Sequence, residues 1–458
     1  MIRLSADRIA AAAGAEVVRE GGPGQPQRGA VDSRRIGAGD LFFGLPGSHA
    51  DGGEFAGAAL AAGAWGAIVT PERARSLSGS DAGGWVLAAP DPERALAGVA
   101  TAWRREIGCP VVGITGSTGK TSVKDICRAM LPFRVHASPE NYNTEIGLPL
   151  ALLSAPEPPE TEVIVLEMAM RGLGQIADLC EIAEPDVAAI TNIGPVHLEL
   201  LGTLDAVTEA KAEILQGLRE RGRAVVPADA EALAPHIGEH LVTVTFGGGG
   251  DVFVRRSRVE DGRTVALVGT PHGEQEFRFP FAEAYNLTNA LAAIAIGVAL
   301  DAPLAGMAER APEIGFSRLR GELLELRDAV VIVNDCYNAN PISMRAALDH
   351  LVSLETPGRR MAVLGEMAEL GPQAPVYHGE VGAYARQLGV GPIVGVGELA
   401  RDYAPDEWVP DARTAVPVTH ALIEPGDLIL VKGSRAVGLE LVSDELVAMR
   451  QPRPSEQG

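Results

Sequence analysis

A glycine-rich turn that carries Lys120 and Thr121 is the segment of this chain best suited to chemistry. An apolar run at residues 111–114 leads into it, and apolar residues at helical spacing follow it, from Val123 to Leu131. A helix that begins at such a turn presents unpaired backbone N–H groups to an anion. Because Lys120 can reach terminal phosphates and the Thr121 hydroxyl can bind Mg²⁺, the turn predicts a nucleotide site.

The phosphate-loop pattern is only partly present. Ile114 stands where the strict pattern requires a glycine, although the half motif from Gly116 to Thr121 is intact between strand and helix. The alternative is a glycine turn with a chance Lys-Thr pair, but the flanking periodicities favour the phosphate loop. The residues predicted to bind the phosphates of a nucleotide here are Gly116, Ser117, Thr118, Gly119, Lys120, Thr121 and Ser122.

Two further predicted strands end beside side chains suited to a metal ion. Residues 163–166 are followed by Glu167, and residues 187–190 lead to a polar loop that contains His197. In parallel sheets, ligands bind at the carboxyl ends of the strands. Thr121, Glu167 and His197 together therefore predict a Mg²⁺ site. Taken singly, Glu167 also fits a satisfied carboxylate at the sheet edge, and His197 fits a packed loop histidine.

Lys211 lies on the apolar stripe of a predicted helix, four residues after Val207 and four before Leu215. Lysine is rarely buried without a partner. The spacing alone favours a side chain that runs along the edge of the stripe and keeps its ammonium group in water. Further along the chain, Asn286 either caps an alanine-rich helix or binds an adenine edge by two hydrogen bonds, and we predict the cap.

The composition limits the classes of partner. The formal charge is −21 without a long basic cluster, which argues against nucleic acid and against an anionic membrane surface. The four cysteines form no C-x-x-C pair, which favours a reducing, cytoplasmic setting without a zinc site. We find neither a signal-peptide pattern nor an apolar run of membrane-spanning length. The polar tail at residues 451–458 is predicted to be disordered.

The chain length of 458 residues favours about three domains. Strands alternate with helices, which predicts α/β domains with parallel sheets. We place the domains at residues 1–107, 108–316 and 317–458, with the phosphate loop in the second. In the third domain, polar loops follow three predicted strands, and they contain Asp335, Glu366 and Lys432.

The order of these motifs resembles the Mur ligase family, most closely its members that add D-alanyl-D-alanine. The resemblance covers nearly the whole chain and rests on ordered stretches in all three domains. They are Asp32-Ser33-Arg34, the phosphate loop, residues 141–147, Leu166-Glu167-Met168, residues 191–194 with His197, residues 210–214, residues 286–289, Arg320, Asp335 with residues 337–341, residues 365–371, and Lys432-Gly433-Ser434-Arg435.

The resemblance implies an ATP-driven amide ligation in peptidoglycan precursor synthesis, with ATP and Mg²⁺ as cofactors. A UDP-N-acetylmuramoyl-tripeptide would become an acyl phosphate, and D-Ala-D-Ala would then displace the phosphate. The implied fold is a small α/β UDP-binding N-terminal domain, a central P-loop-type ATPase domain with a parallel sheet, and a C-terminal Rossmann-like α/β domain. We expect a cytoplasmic monomer with no nucleic-acid or membrane partner.

The resemblance also implies residue roles. Lys120, Glu167, His197 and Lys211 would be catalytic, and Thr121, Glu167, His197 and a carbamylated Lys211 would hold metal. Asn289, Arg320 and Asp335 would bind the nucleotide, although Asn334 and Cys336 replace the usual neighbours of Asp335. The residues expected to bind the other substrates are Asp32, Ser33, Arg34, Asn143, Thr144, Tyr337, Asn338, Lys432, Ser434 and Arg435.

Two alternatives remain at the level of sequence. A sister ligase that adds the third amino acid has a similar beginning, but its Asn-Pro-Arg segment is absent from the last domain here. A nucleotide-binding regulator that ligates nothing would need the phosphate loop but neither Lys211 nor the loops of the third domain. The sequence does not determine whether the third peptide residue is diaminopimelate or lysine.

Overall fold

The computed structural model describes residues 1–47, 50–77, 79, 83–139 and 141–450. The tail at 451–458, predicted to be disordered, lies outside the described residues. The chain forms two compact units, and each is described by itself. The first comprises Met1–Thr191, Glu209–Pro280 and Asn289–Ile314, and the second comprises Asn192–Thr208, Phe281–Thr288 and the chain from Gly315 onward.

The first unit begins with a five-stranded sheet. Its strands are β1 Glu16–Arg19, β2 Gly29–Ala30, β3 Leu41–Phe43, β4 Gly66–Val69 and β5 Trp85–Ala88, in the order β1-β5-β4-β3-β2. Only the β1–β5 pair is antiparallel. The accompanying helices are α1 Ala6–Ala13, α2 Ala56–Ala61, α3 Pro71–Leu77 and α4 Pro92–Ile107. Asp91 caps α4 by accepting hydrogen bonds from two backbone N–H groups, as a helix opened by Pro92 requires.

A six-stranded, fully parallel sheet follows in the same unit. Its strands are β6 Val111–Thr115, β7 Val135–Ala137, β8 Val163–Glu167, β9 Val187–Ile190, β10 Arg223–Pro227 and β11 Val242–Phe246, in the order β11-β10-β9-β6-β8-β7. The helices of this stretch of chain are α5 Lys120–Met130, α6 Gly147–Ser154, α7 Gln175–Ala183, α8 Leu198–Leu201 and α9 Leu204–Gln216. Because β8 and β9 flank β6 on opposite sides, the strand order reverses at β6, where such sheets bind ligands.

An antiparallel three-stranded sheet interrupts this pattern. It consists of β12 Phe253–Glu260, β13 Arg263–Thr270 and β14 Gly273–Phe279, and it is followed by helices α10 Ala284–Ala299 and α11 Leu304–Arg310. The predicted cap at Asn286 is wrong, because α10 begins two residues earlier and Asn286 is buried within its first turn.

The second unit contains a six-stranded sheet with strands β15 Glu322–Glu325, β16 Val331–Asn334, β17 Arg360–Gly365, β18 Ile393–Val396, β19 Glu407–Val409 and β20 Leu428–Lys432. Their order is β15-β16-β20-β17-β18-β19, and only β15 is antiparallel to its neighbour. Its helices are α12 Pro341–Ser353, α13 Ala374–Gln387, α14 Ala412–Leu422 and α15 Glu440–Arg450. Along β17, Ala362 and Leu364 join one hydrophobic cluster and Met361 and Val363 join another, so both faces are covered.

This architecture confirms the predicted α/β class with parallel sheets. The domain boundaries at residues 107 and 316 stay predictions. Across the described part of the chain, the helices are too short or too polar for any of them to cross a membrane.

Candidate active site

The phosphate loop joins the end of β6 at Thr115 to the start of α5 at Lys120. Gly116 and Gly119 have φ angles of +147° and +80°, which side-chain-bearing residues rarely adopt. A Cβ atom on Gly119 would also lie 2.5 Å from Asn289 Oδ1, so the structure brings a residue predicted to bind nucleotide to this loop. Lys120 Nζ donates a hydrogen bond to the Gly116 carbonyl at 2.8 Å. These contacts explain why the half motif is sufficient to form the turn.

Thr191, which directly follows β9, contacts the phosphate loop. Its hydroxyl donates to the Thr118 carbonyl oxygen at 2.5 Å. From the sequence, Thr191 was expected to follow a strand, but no function was predicted for it. Its position at the carboxyl end of a predicted parallel strand was the only sequence feature that could have indicated a role.

Glu167 is the carboxylate at the centre of the first unit's site, and it is 4% exposed. Thr121 Oγ1 donates to Glu167 Oε2 at 2.8 Å, and Asn143 Nδ2 donates to Oε1 at 2.9 Å. Both carboxylate oxygens are therefore held by residues that the sequence had selected. Thr144 lies beside Asn143, where its hydroxyl accepts a 3.4 Å hydrogen bond from the N–H of Gly147 at the start of α6.

Lys124 is a neighbour of Glu167 that the sequence analysis missed. Its side chain is 3% exposed, and Nζ lies 4.0 Å from Glu167 Oε2. It stands one helical turn after Lys120, so the two lysines share a face of α5. The rarity of lysine could have drawn attention to Lys124, since the chain has only four lysines.

Lys211 is buried within α9, with 2% of its surface exposed. Burial, reinforced by the nearby charge of Lys120, lowers the pKa of the Lys211 amine well below its usual value of 10.5. The alternative in which the ammonium group reaches water is therefore wrong. This burial favours the neutral form of the amine.

The oxygen atoms of Thr121 and Glu167 fit a magnesium ion. Mg²⁺ prefers oxygen ligands and is usually held by one or two carboxylates together with substrate phosphates and water. Within the described ranges there is no group of three or more His, Cys, Asp or Glu residues able to hold a metal ion by themselves. The donor set therefore fits a cation that is shared with a nucleotide, and it does not fit an all-protein metal cage.

The segment Asp32-Ser33-Arg34 forms a preordered turn in the first unit. Asp32 caps a short 3₁₀ helix, Ser33–Arg35, and both of its carboxylate oxygens accept hydrogen bonds from the Arg34 guanidinium at 2.9 Å. These bonds lower the pKa of Asp32 to about 2. The Asp32 carboxylate and the Arg34 guanidinium are therefore both ionised at neutral pH, at which an anionic substrate would bind.

In the second unit, His197 pairs with a carboxylate that the sequence did not predict. Its Nδ1 lies 2.5 Å from Glu369 Oε2, and the Glu199 N–H donates to the Glu369 carbonyl at 3.1 Å. His197 itself has a φ of +54° at the start of α8. A carboxylate close to one ring nitrogen helps to orient a histidine whose other nitrogen binds metal. The pairing is therefore compatible with the predicted role of His197.

Lys432 joins two of the second unit's polar loops. It is 2% exposed, and Nζ donates to Asp335 Oδ2 at 2.6 Å, to the Asn338 carbonyl at 3.0 Å and to the Asp335 carbonyl at 3.3 Å. These three bonds use all the donors of an ammonium group. Its predicted role in substrate binding is therefore better explained as positioning the loops than as direct contact.

Other predicted residues of the second unit lie on these loops or contact them. Ser434 Oγ accepts a hydrogen bond from the Ala368 N–H at 2.9 Å, which ties the loop after β20 to the loop after β17. The Arg320 guanidinium lies 4.0 Å from the ring centroid of Tyr337, a cation–π contact. The exposed Arg435 side chain pairs with Glu440 at 2.8 Å.

Comparison with known proteins gives the same family over both units. The chain matches the Mur ligase middle domain over residues 114–297 and the Mur ligase glutamate ligase domain over residues 319–435. It is 34% identical to the UDP-N-acetylmuramoyl-tripeptide--D-alanyl-D-alanine ligase of Bacillus subtilis, covering 91% of this chain and 92% of that protein. It is 36% identical to the ligase of the same name from Mycobacterium tuberculosis, with 91% of each chain covered.

Solved structures agree with these relatives. MurF from Acinetobacter baumannii superimposes with a TM-score of 0.85 and 28% identity, covering 97% of this chain and 98% of the other. MurF ligase from Thermotoga maritima in complex with ADP gives a TM-score of 0.78 and 29% identity, covering 92% and 97%.

Proposed function

We propose, because this chain belongs to the Mur ligase family, that it is an ATP-dependent ligase that joins D-alanyl-D-alanine to UDP-N-acetylmuramoyl-tripeptide. The observation that carries the proposal is the buried Thr121–Glu167 contact behind a phosphate loop, in a chain that matches such ligases over nine-tenths of its length. A regulator that binds nucleotide without ligation would not require the loops of the second unit.

The reaction has two bond-forming steps. A carboxylate oxygen of the tripeptide attacks the γ-phosphorus of ATP, the bond to the ADP oxygen breaks, and an acyl phosphate forms. The dipeptide amine then attacks the carbonyl carbon and loses a proton. Phosphate leaves with the former carboxylate oxygen, and the new amide remains. Phosphorylation is needed because a free carboxylate has no adequate leaving group.

The chain's own residues contribute mainly position and charge to the first step. The N–H groups at the start of α5 and the Lys120 ammonium face the nucleotide phosphates and neutralise them. Thr121 and Glu167, with His197 as a further predicted ligand, would hold Mg²⁺, which supplies charge neutralisation when it is bound. Asn289, Arg320 and Asp335 are proposed to bind the rest of the nucleotide.

Lys211 is proposed to become an anionic metal ligand by carbamylation. Its neutral amine nitrogen attacks CO₂, a nitrogen–carbon bond forms, and one proton leaves. The ammonium form has no lone pair and cannot react in this way. The burial and lowered pKa of Lys211 support the modification, because they favour the neutral form of the amine.

The remaining predicted residues are proposed to bind the two other substrates. Asp32, Ser33 and Arg34 would hold the uridine diphosphate end. Asn143, which donates to Glu167, and its sequence neighbour Thr144 would bind the reacting end of the tripeptide. Tyr337, Asn338, Ser434 and Arg435 would surround the dipeptide. We further propose a monomer that works in the cytoplasm. The four free, buried cysteines support a reducing compartment.

Phosphate release with paired substrates tests the function. One mixture contains ATP, UDP-muramoyl-tripeptide and D-Ala-D-Ala, and the other contains ATP, UDP-muramoyl-dipeptide and free diaminopimelate or lysine. We expect turnover in the first mixture only, with ¹⁸O from a labelled tripeptide carboxylate appearing in the phosphate. Turnover only in the second mixture would identify the sister ligase that adds the third amino acid. No turnover in either would favour the regulator.

A further inference from the structure

Lysine is so rare in this chain that each one calls for an explanation. The sequence has four, Lys120, Lys124, Lys211 and Lys432, among 39 lysine and arginine residues. Lys124, Lys211 and Lys432 are each 2% exposed. Lysine offers a compact point charge, whereas arginine offers a broad planar fork. Three of the four already have a role in the nucleotide site or the second unit's loops, which leaves Lys124.

The position of Lys124 links it to the proposed cation site. Its Nζ lies 4.0 Å from Glu167 Oε2, the same oxygen that accepts the Thr121 hydroxyl at 2.8 Å. The side chains of Lys124 and Glu167 are 3% and 5% exposed. Of the residues that the structure describes, Glu167 is the one carboxylate within 4.0 Å of this ammonium. Lys124 therefore pairs with the Glu167 carboxylate in an environment that is nearly closed to solvent.

We propose that Lys124 is a positioning residue that provides the counter-charge of Glu167 when no cation is bound and that weakens cation binding there. A buried carboxylate left without a counter-charge strongly destabilises a fold. When a divalent cation reaches the same carboxylate, it is repelled by the ammonium and competes with it. Magnesium is thereby held firmly only together with nucleotide phosphates. The inference rests on the proposed function, since it takes Thr121 and Glu167 as the cation site.

Manganese binding to the nucleotide-free, full-length protein tests this idea. Lys124→Met keeps the length of the side chain and removes its charge, while Lys124→Arg keeps the charge and serves as the matched control. Free Mn²⁺, followed by electron paramagnetic resonance, should show K124M binding about tenfold more tightly than the wild type. K124R should bind as the wild type does.

Thermal unfolding adds a second readout. Without metal, the melting temperature of K124M should be lower than that of the wild type. Added Mn²⁺ should raise the melting temperature of K124M by more than it raises that of the wild type. A purely structural lysine would give the opposite result for affinity, because a damaged site binds cations more weakly. Equal or weaker Mn²⁺ binding by K124M, or no saturable binding by either protein, would overturn the proposal.

A measurement on the wild type keeps the proposal testable should K124M fail to fold. Lysine labelled with ¹³C at Cε gives four signals, which Lys→Arg replacements at the other three positions assign. Added Mg²⁺ should move the Lys124 signal and leave the Lys432 signal in place. An unmoved Lys124 signal would contradict the role. Neither metal experiment requires ligation, so a failed paired-substrate assay would remove the proposed function and leave the metal result standing.

Discussion

The backbone at Gly116 passes so close to Thr191 that a Cβ atom on residue 116 would lie 1.9 Å from the Thr191 hydroxyl oxygen. The φ of Gly116, +147°, is also one that other residues rarely adopt. The phosphate loop therefore depends on a glycine for two independent reasons. One reason is its own backbone conformation, and the other is the neighbouring strand end.

Gly116→Ala should lower the affinity for ATP and ADP by at least about a hundredfold, because the loop must move away from Thr191 and its N–H groups lose their alignment. Isothermal titration with ADP measures the change. Gly248→Ala is the matched control, since a Cβ there meets nothing within 4 Å and its φ is not positive. Wild-type ADP affinity in G116A would contradict the description of the loop.

Lys120→Ala should reduce ATP-dependent phosphate release by at least about a hundredfold with every substrate combination. Removal of the ammonium leaves phosphate charge without its neutralising partner during phosphoryl transfer. Arg128→Ala removes a positive charge from an exposed position on the same helix and should leave the rate unchanged. Appreciable turnover by K120A would exclude the loop from the mechanism.

Lys211→Ala should be inactive in ligation and should regain part of its activity when short carboxylates such as acetate are added. The carboxylate would occupy the position of the lost carbamate. Wild-type protein in ¹³C-bicarbonate should show a carbamate resonance that is absent from K211A. Full activity of K211A without rescue would leave Lys211 as a packing residue only.

Lys211 should also make stability depend on pH. Because the pKa of Lys211 is lowered in the folded state, the folded protein binds a proton at this amine more weakly than the unfolded chain does, which costs free energy of folding at neutral pH. That cost diminishes as the pH rises toward 10.5, the pKa of the lysine amine in the unfolded chain. In CO₂-free buffer, K211M should therefore be more stable than the wild type at pH 7, and the difference should narrow by pH 10. Parallel stability curves from denaturant titrations would contradict the lowered pKa.

Lys432→Met should cost about 3–5 kcal/mol of unfolding free energy, because it leaves the Asp335 carboxylate without its buried partner. The double variant K432M/D335N should recover part of that loss, since the stranded charge is then also removed. Urea unfolding measures both. Arg435→Ala breaks an ion pair with a 58% exposed arginine side chain and should cost no more than about 1 kcal/mol. A loss that small in K432M would mean that Lys432 does not hold the loops.

Several local features of this protein could be predicted from short stretches of sequence. The phosphate loop and the strands that end at Glu167 and Ile190 follow from short-range periodicity and turn residues. Each of these signals is complete within one element and its flanks. The order of the motifs was enough to indicate the Mur ligase family.

Contacts between residues that are distant in sequence could not be predicted in this way, because they depend on tertiary packing. The spacing favoured an ammonium group in water at Lys211, whereas packing buried it. The Glu369 partner of His197, the approach of Thr191 to Gly116, the Lys124–Glu167 pair and the strands β15 and β19 were not predicted. These features depend on which distant segment of the chain packs beside each residue. Local periodicity does not predict such long-range contacts, because they are set by how sheets and helices bury their faces against one another.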